Sequence, residues 1–409
     1  MKKTSSLLSI FFLITAILFF AGCSDDKESN DVTKITLSDY RIELAVSETF
    51  VLKATVIPDN AENKTVIWNS ENTTIATIDN YGKVTAIKPG ETSITAKAGS
   101  KTTTCRVIVT GNGNEDPQNV DLTNVYVAGT INNVATVWKD GAFLYTLPDG
   151  QYANSIYVAE DDVFVAGTSL DGKAKVWKNG SLLYNLPNGT SALSIYIIDS
   201  DVYSVGIGTN NATSPPKQIG KVWKNNVLMY NLGFNARSIY VKENDIYVSG
   251  SEIDGTKHEG TIWKNGLPLY KFPKNQNGND SPAFHIVGTD VYAASNDNVE
   301  RKIDVWKNGA LLYKLNNASL HGASGSSDIH LFQLLTVIDN DIYILGNAGT
   351  IWKNNTVLYN RLQGLTSIYT KGTDLYVSGS LNGLPTIWKN DISVTLPGGK
   401  GMARSIFIK

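Results

Sequence analysis

The sequence predicts an all-β chain in two parts, a small sandwich followed by a ring of repeated four-stranded units. Three observations predict this. Short runs rich in Val, Ile, Thr and Tyr alternate with polar residues and are bounded by Gly, Asn and Asp, which is the pattern of half-buried strands and turns. Beyond the N-terminal segment no long stretch carries helical periodicity. Seven of the eight Trp residues, Trp138, Trp177, Trp223, Trp263, Trp306, Trp352 and Trp388, fall in the last part of the chain, each followed by Lys. Their spacings of 39, 46, 40, 43, 46 and 36 residues are the signature of a repeat architecture.

The chain begins as an exported one. Lys2 and Lys3 precede an uncharged run from Leu7 to Ala21, shorter than the ~20 residues a bilayer-spanning helix needs and suited to a secretory signal. The run ends Phe20-Ala21-Gly22-Cys23, which resembles a bacterial lipobox, with Phe20 departing from the usual aliphatic residue. The resemblance implies a signal peptide over 1–22 and a lipid on Cys23, with a tether over 23–32. Ser24-Asp25-Asp26 resembles the acidic tag of Bacteroidetes-type lipoproteins, which implies the outer face of the outer membrane. Lipidation of Cys23 leaves Cys105 alone, so it reads as a small buried hydrophobe in an alternating strand.

From 33 to 110 the strands are short and the turns closely spaced, which suits a sandwich. Ile35-Thr36-Leu37, Leu52-Lys53-Ala54-Thr55-Val56, Val66-Ile67-Trp68-Asn69-Ser70, Ala76-Thr77-Ile78-Asp79 and Gly82-Lys83-Val84-Thr85-Ala86 follow in order. Together with Gly90 and Thr92 to Ala96, they resemble the bacterial immunoglobulin-like group 2 domain; Ser47-Glu48 departs from its usual Gly-Glu. The resemblance implies a stalk. Trp68 is expected to fill the gap between the sheets. Residues 111–121 are polar with Gly and Pro, and read as a linker.

The repeat over 122–409 is clearest in Ser155 to Val158, Asp162 to Gly167, Lys175 to Gly180 and Leu182 to Leu186. These are four strands, a to d, joined by short hairpin turns such as Asn179-Gly180. The first unit lacks strand a, and the chain ends on a lone strand a, Ser405 to Lys409. Joining the two completes seven units, which predicts a seven-bladed β-propeller closed by its C-terminal strand. The Trp-Lys pair, the missing double Gly and the incomplete Asp-box at Ser169 to Gly172 match none of the named propeller repeats.

The repeated Tyr residues read as blade packing, so function is sought where the repeat breaks. The longest irregular connections are 207–220, 251–260, 272–282, 295–302 and 316–330, all expected on one face. His258 lies in one of them beside Glu259, a pair able to serve acid–base chemistry or to stay solvated. A second candidate is the variable residue before the strand-a Ser, with Asn154, Arg237 and Arg404 as polar examples and His285 replacing the Ser itself. These positions could contact a ligand over the channel, or be solvated on an empty pore.

A net charge of −2 offers no basic face for nucleic acid. The four His residues form no HxH or HxxxH pair, and no nucleophile elbow is present, so no catalytic residue, metal site or cofactor is assigned. The expected function is a surface lipoprotein that binds a glycan or a protein. A polysaccharide lyase or glycoside hydrolase on the same scaffold, and a non-catalytic envelope scaffold, are the alternatives.

Overall fold

The structure, a computed structural model, describes residues 30–110, 120–254, 257–273, 281–297, 300–316, 318–320, 333–360 and 364–409. The expected signal segment, Cys23, most of the 111–121 linker, and residues 274–280 and 321–330 of two of the expected long connections lie outside the described residues.

The described chain is all-β apart from a single 3-10 turn at Asn347–Gly349. Its first part has two main sheets. Arg41–Ala45, Lys101–Thr110, Gly90–Ala98 and Ile67–Ser70 bond in that order, the first pair parallel, while Thr49–Val51, Lys83–Ala86 and Ala76–Ile78 form the other. Alternation sets the core: Gly90–Ala98 turns Thr92, Ile94, Ala96 and Ala98 inward. Trp68 is only partly buried, packing on the edge of that core. Cys105 is fully buried, and burial pushes its thiol up to about 11, which leaves it protonated and inert.

The second part contains seven four-stranded antiparallel sheets, numbered here in chain order. Sheet 2 is typical: Gly150–Ala159, Asp162–Ser169, Ala174–Lys178 and Ser181–Asn185 are its strands a to d. Sheet 1 takes its strand a from the C-terminus, Gly401–Ile408, which bonds to Val125–Ile131. The arrangement is propeller-like.

The Trp-Lys-Asn motif holds the outer hairpins together. In sheet 2, Lys178 reaches the Asp162 carboxylate at 2.6 Å and lies 5.2 Å over the Phe164 ring. Asn179, at φ 49°, accepts the Val163 N–H and donates to Asp162. A short amide side chain tolerates this left-handed turn position while bonding the backbone. The same Lys-over-aromatic contact recurs in all seven sheets. Sheet 1 exchanges the two partners, carrying Asn124 at the strand start and Asp140 at the turn, and Asp140 still accepts the Val125 N–H. Trp177 and Trp223 are fully buried and donate Nε1–H to Pro148 and Pro187 of the preceding connection. Trp138 does the same to Pro397, near the far end of the chain.

Strand a carries a bulge that the sequence reading missed. The pairing skips one residue between Ala153 and Ser155, Ala192 and Ser194, Ala236 and Ser238, and Leu365 and Ser367. In sheet 1 it skips Arg404 in the same way. A Gly faces the kink because a Cβ on Gly167 would collide with the Tyr152 carbonyl oxygen. Sheet 5 has no bulge within its shorter strand Ala283–Val287, and Ser295 stands where the others place Gly.

Candidate functional site

The site is built from the strand-a sequence Ser-Ile-Tyr. With a period of two, Ser155 and Tyr157 share one side of the strand and Ile156 takes the other. Ile156 and Val158 enter the core between sheets, which leaves the Ser and Tyr to face the middle of the molecule. There they line a cavity of about 250 Å³ together with the equivalent residues of sheets 1, 3 and 4 and with Tyr369, Phe284, His285 and Gln333. No charged side chain is among its lining residues.

Two layers are distinguishable. In the Tyr layer the rings stand edge to edge: Phe407 to Tyr157 at 4.9 Å, Tyr157 to Tyr196 at 5.0 Å, and Tyr196 to Tyr240 at 5.0 Å, all tilted. Tyr369 continues the series to Phe407 at 5.6 Å. Burial pushes the Tyr157 and Tyr196 hydroxyls upward, so they stay protonated donors. In the Ser layer three hydroxyls each tie one sheet to the next, while that of Ser367 in sheet 7 is buried with no hydrogen bond among the described residues. Ser405 accepts the Ile156 N–H, Ser155 the Ile195 N–H and Ser194 the Ile239 N–H.

This order stops at sheet 4. The next strand carries no bulge, so Ser238 has no N–H to accept, and its hydroxyl makes no hydrogen bond among the described residues.

His285 sits in a different column from the one the sequence reading gave it. Val287 pairs with Asp290 as Ala159 pairs with Asp162, so His285 takes the place of Tyr157 rather than of Ser155. A shift of two residues keeps a side chain on the same face, which is why the pattern alone could not fix it. The same register puts Thr336 in the Tyr column of sheet 6 and moves Leu335 to the Ile column. Thr336 is buried and bonds Thr370 at 3.2 Å. The imidazole of His285 is pushed down to about 4 by burial, so it is neutral at neutral pH.

The other expected positions lie elsewhere. Asn154 and Arg404 are the bulged residues, and bulges re-aim side chains; both turn into the gap between sheets rather than to the cavity. Asn154 is fully buried and donates to the Ala192 carbonyl at 2.9 Å, with Ser191 and Thr168 close by. Arg404 lies 4.6 Å over the Tyr152 ring and is also buried. Arg237 is the bulged residue of sheet 4, its Nε is buried without a partner, and burial lowers its pKa. Arg237 and Arg404 therefore do not converge on the cavity to hold a carboxylate.

His258 is in a strand, not in an irregular loop. Residues 251–254 and 257–260 are paired strand, Ile253 with His258 and Glu252 with Glu259. His258 stands edge-on to Phe234 at 5.4 Å, its Nδ1 buried without a partner. Glu259 is taken by Lys271 at 2.8 Å, so no acid–base pair forms with His258. Likewise 295–302 is largely paired strand. No group of three or more His, Cys, Asp or Glu able to hold a metal occurs among the described residues.

Residues 31–109 match the bacterial Ig-like domain (group 2) family. An uncharacterized protein of Clostridium acetobutylicum is 41% identical over 101 residues, covering 24% of this chain and 10% of that protein. A 3-O-alpha-D-galactosyl-alpha-L-arabinofuranosidase of Bifidobacterium longum subsp. longum is 32% identical over 114 residues, 26% of this chain and 10% of that enzyme. The match thus spans about a tenth of the length of these curated relatives. Among solved structures, a quinonprotein alcohol dehydrogenase-like protein of Bacteroides thetaiotaomicron aligns over 93% of this chain and 98% of its own, with 12% identity and a TM-score of 0.43. The β-propeller domain of the Trilobed protease of Pyrococcus furiosus aligns over 90% and 97%, with 10% identity and a TM-score of 0.32.

Proposed function

We propose that this chain is a cell-surface binding protein. An Ig-like domain holds out a closed seven-bladed propeller, whose recognition surface takes a glycan or a protein. The observation that carries the reading is the cavity encircled by strand a of successive sheets, lined by hydroxyls and aromatic rings and open to neither metal nor charge chemistry. Concave sites with convergent polar groups are where ligands bind on rigid scaffolds. Ring closure is supported by the pairing of Gly401–Ile408 with Val125–Ile131 and by the Trp138 bond to Pro397. Lipid attachment at Cys23 and display on the outer membrane are part of the same proposal, motivated by Phe20 to Cys23 and Ser24 to Asp26.

Binding is preferred to hydrolysis at this cavity because glycoside hydrolysis generally needs two carboxyl groups flanking the bond, and the lining offers none. A glycan array and cell-surface crosslinking with the purified chain, run beside a reducing-sugar release assay, test the reading. Saturable binding without sugar release is expected. Release of sugar would replace binder by enzyme, and binding to neither glycans nor surface proteins would remove the reading altogether.

A further inference from the structure

We infer that the central cavity is a site for one uncharged sugar ring, held along the arc from sheet 4 to sheet 7. The inference rests on the binding reading above and gives its ligand class and position. Three polar side chains that line the cavity, Ser238, His285 and Gln333, make no hydrogen bond among the described residues. Elsewhere in the Ser layer the hydroxyls of Ser405, Ser155 and Ser194 are already engaged by the next strand. These three groups lie along the arc from sheet 4 to sheet 7, Ser238 and His285 where sheets 4 and 5 meet and Gln333 bridged to Ser367 of sheet 7.

The opposite side is aromatic, formed by Phe407, Tyr157 and Tyr196. A hydroxylated ring with apolar C–H faces matches this lining, with aromatic rings to pack on its faces and uncharged hydroxyl, imidazole and amide groups to bond its edge. The imidazole is a neutral donor and acceptor at once. A carboxylate or phosphate finds no cation on the lining, and a cationic ligand finds no anion. A volume of about 250 Å³ falls below the ~300–1,000 Å³ of drug-sized sites, which limits the occupant to a single ring.

The test uses the full chain and methyl glycosides of glucose, galactose and mannose, with the methyl glucuronide as a charged counterpart. Saturation-transfer NMR and titration calorimetry report binding. At least one neutral glycoside should bind one-to-one, and the glucuronide should bind at least about tenfold more weakly. His285→Tyr restores the residue of sheets 2, 3, 4 and 7 and narrows the cavity. It should abolish binding, while Ser238→Ala should weaken it by about tenfold. Thermal melts establish that each variant folds, and Ser238→Ala carries the test if His285→Tyr does not. Binding unchanged in the variants overturns the cavity site and leaves surface binding through the propeller loops standing. Preference for the glucuronide, or no binding of any neutral glycoside alongside a captured surface protein, overturns the ligand class without removing the binding reading.

Discussion

Sheets 2 to 4 and sheets 5 and 6 follow one strand plan but secure their inner strands differently. In sheets 2 and 3 the bulge, the facing Gly and the Ser hydroxyl act together, and each inner strand is tied to its neighbour by a side chain. In sheet 5 the bulge is gone, Ser295 replaces Gly, and Trp306 donates to that Ser295 of its own sheet rather than to a preceding Pro carbonyl. The regular sheets use their polar groups for assembly. Where the irregular sheet 5 meets sheet 4, Ser238 and His285 are left facing the cavity. The proposed sugar site thus lies where the repeat gives up a structural bond.

Deleting Ser405 to Lys409 tests the strongest structural element of this contrast. The deletion removes half of the strand Gly401–Ile408 that completes sheet 1 and the Ser405 link to sheet 2. The expected outcome is loss of the cooperative unfolding transition of the repeat region while the Ig-like domain still melts, as read by calorimetry. Two separate but near-native transitions would refute it.

Trp177→Ala against Trp306→Ala compares the two regions directly. Trp177 is fully buried and bonded across a sheet boundary, while Trp306 is only partly buried. Large-to-small changes at buried Trp cost about 3–5 kcal/mol, and Trp306→Ala should cost about half as much, read from urea midpoints. Equal costs would erase the distinction between the sheets.

The third effect is in acid. The His285 imidazole ionises near 4 in the fold and near 6.5 when free, so between those pH values the unfolded chain binds the extra proton. Stability present above 6.5 is lost as pH falls towards 4, by up to about 3 kcal/mol. His285→Tyr should remove this slope. The Asp162, Asp201, Asp245 and Asp290 carboxyls are held below their ordinary value by the neighbouring Lys, so their contribution fades only in stronger acid. A slope in that window that survives His285→Tyr would assign it to another group.

Much of this was legible from residues. The Trp-Lys spacing marked each repeat, and Asn179-Gly180 marked a hairpin turn. The short polar strand ends in 251–260 read as a loop because alternation is hard to see where Glu, Lys and His share both faces, yet the ladder continues through Ile253 and His258. Asn154 and Arg404 read as channel residues because a bulge leaves no mark in the sequence except a Gly on the partner strand. That Gly, at positions such as Gly167, was the available signal, and it requires knowing the pairing.

The sequence by itself determined strand count, hairpin order and which strand is orphaned, because those depend on local alternation and turn chemistry. Tertiary structure alone decided the register across sheets. It put His285 in the Tyr column, left Ser238 without a partner, and turned Asn154 and Arg404 away from the cavity. The reason is that a two-residue shift conserves the facing of every side chain, so only contact between neighbouring sheets can tell one register from the other.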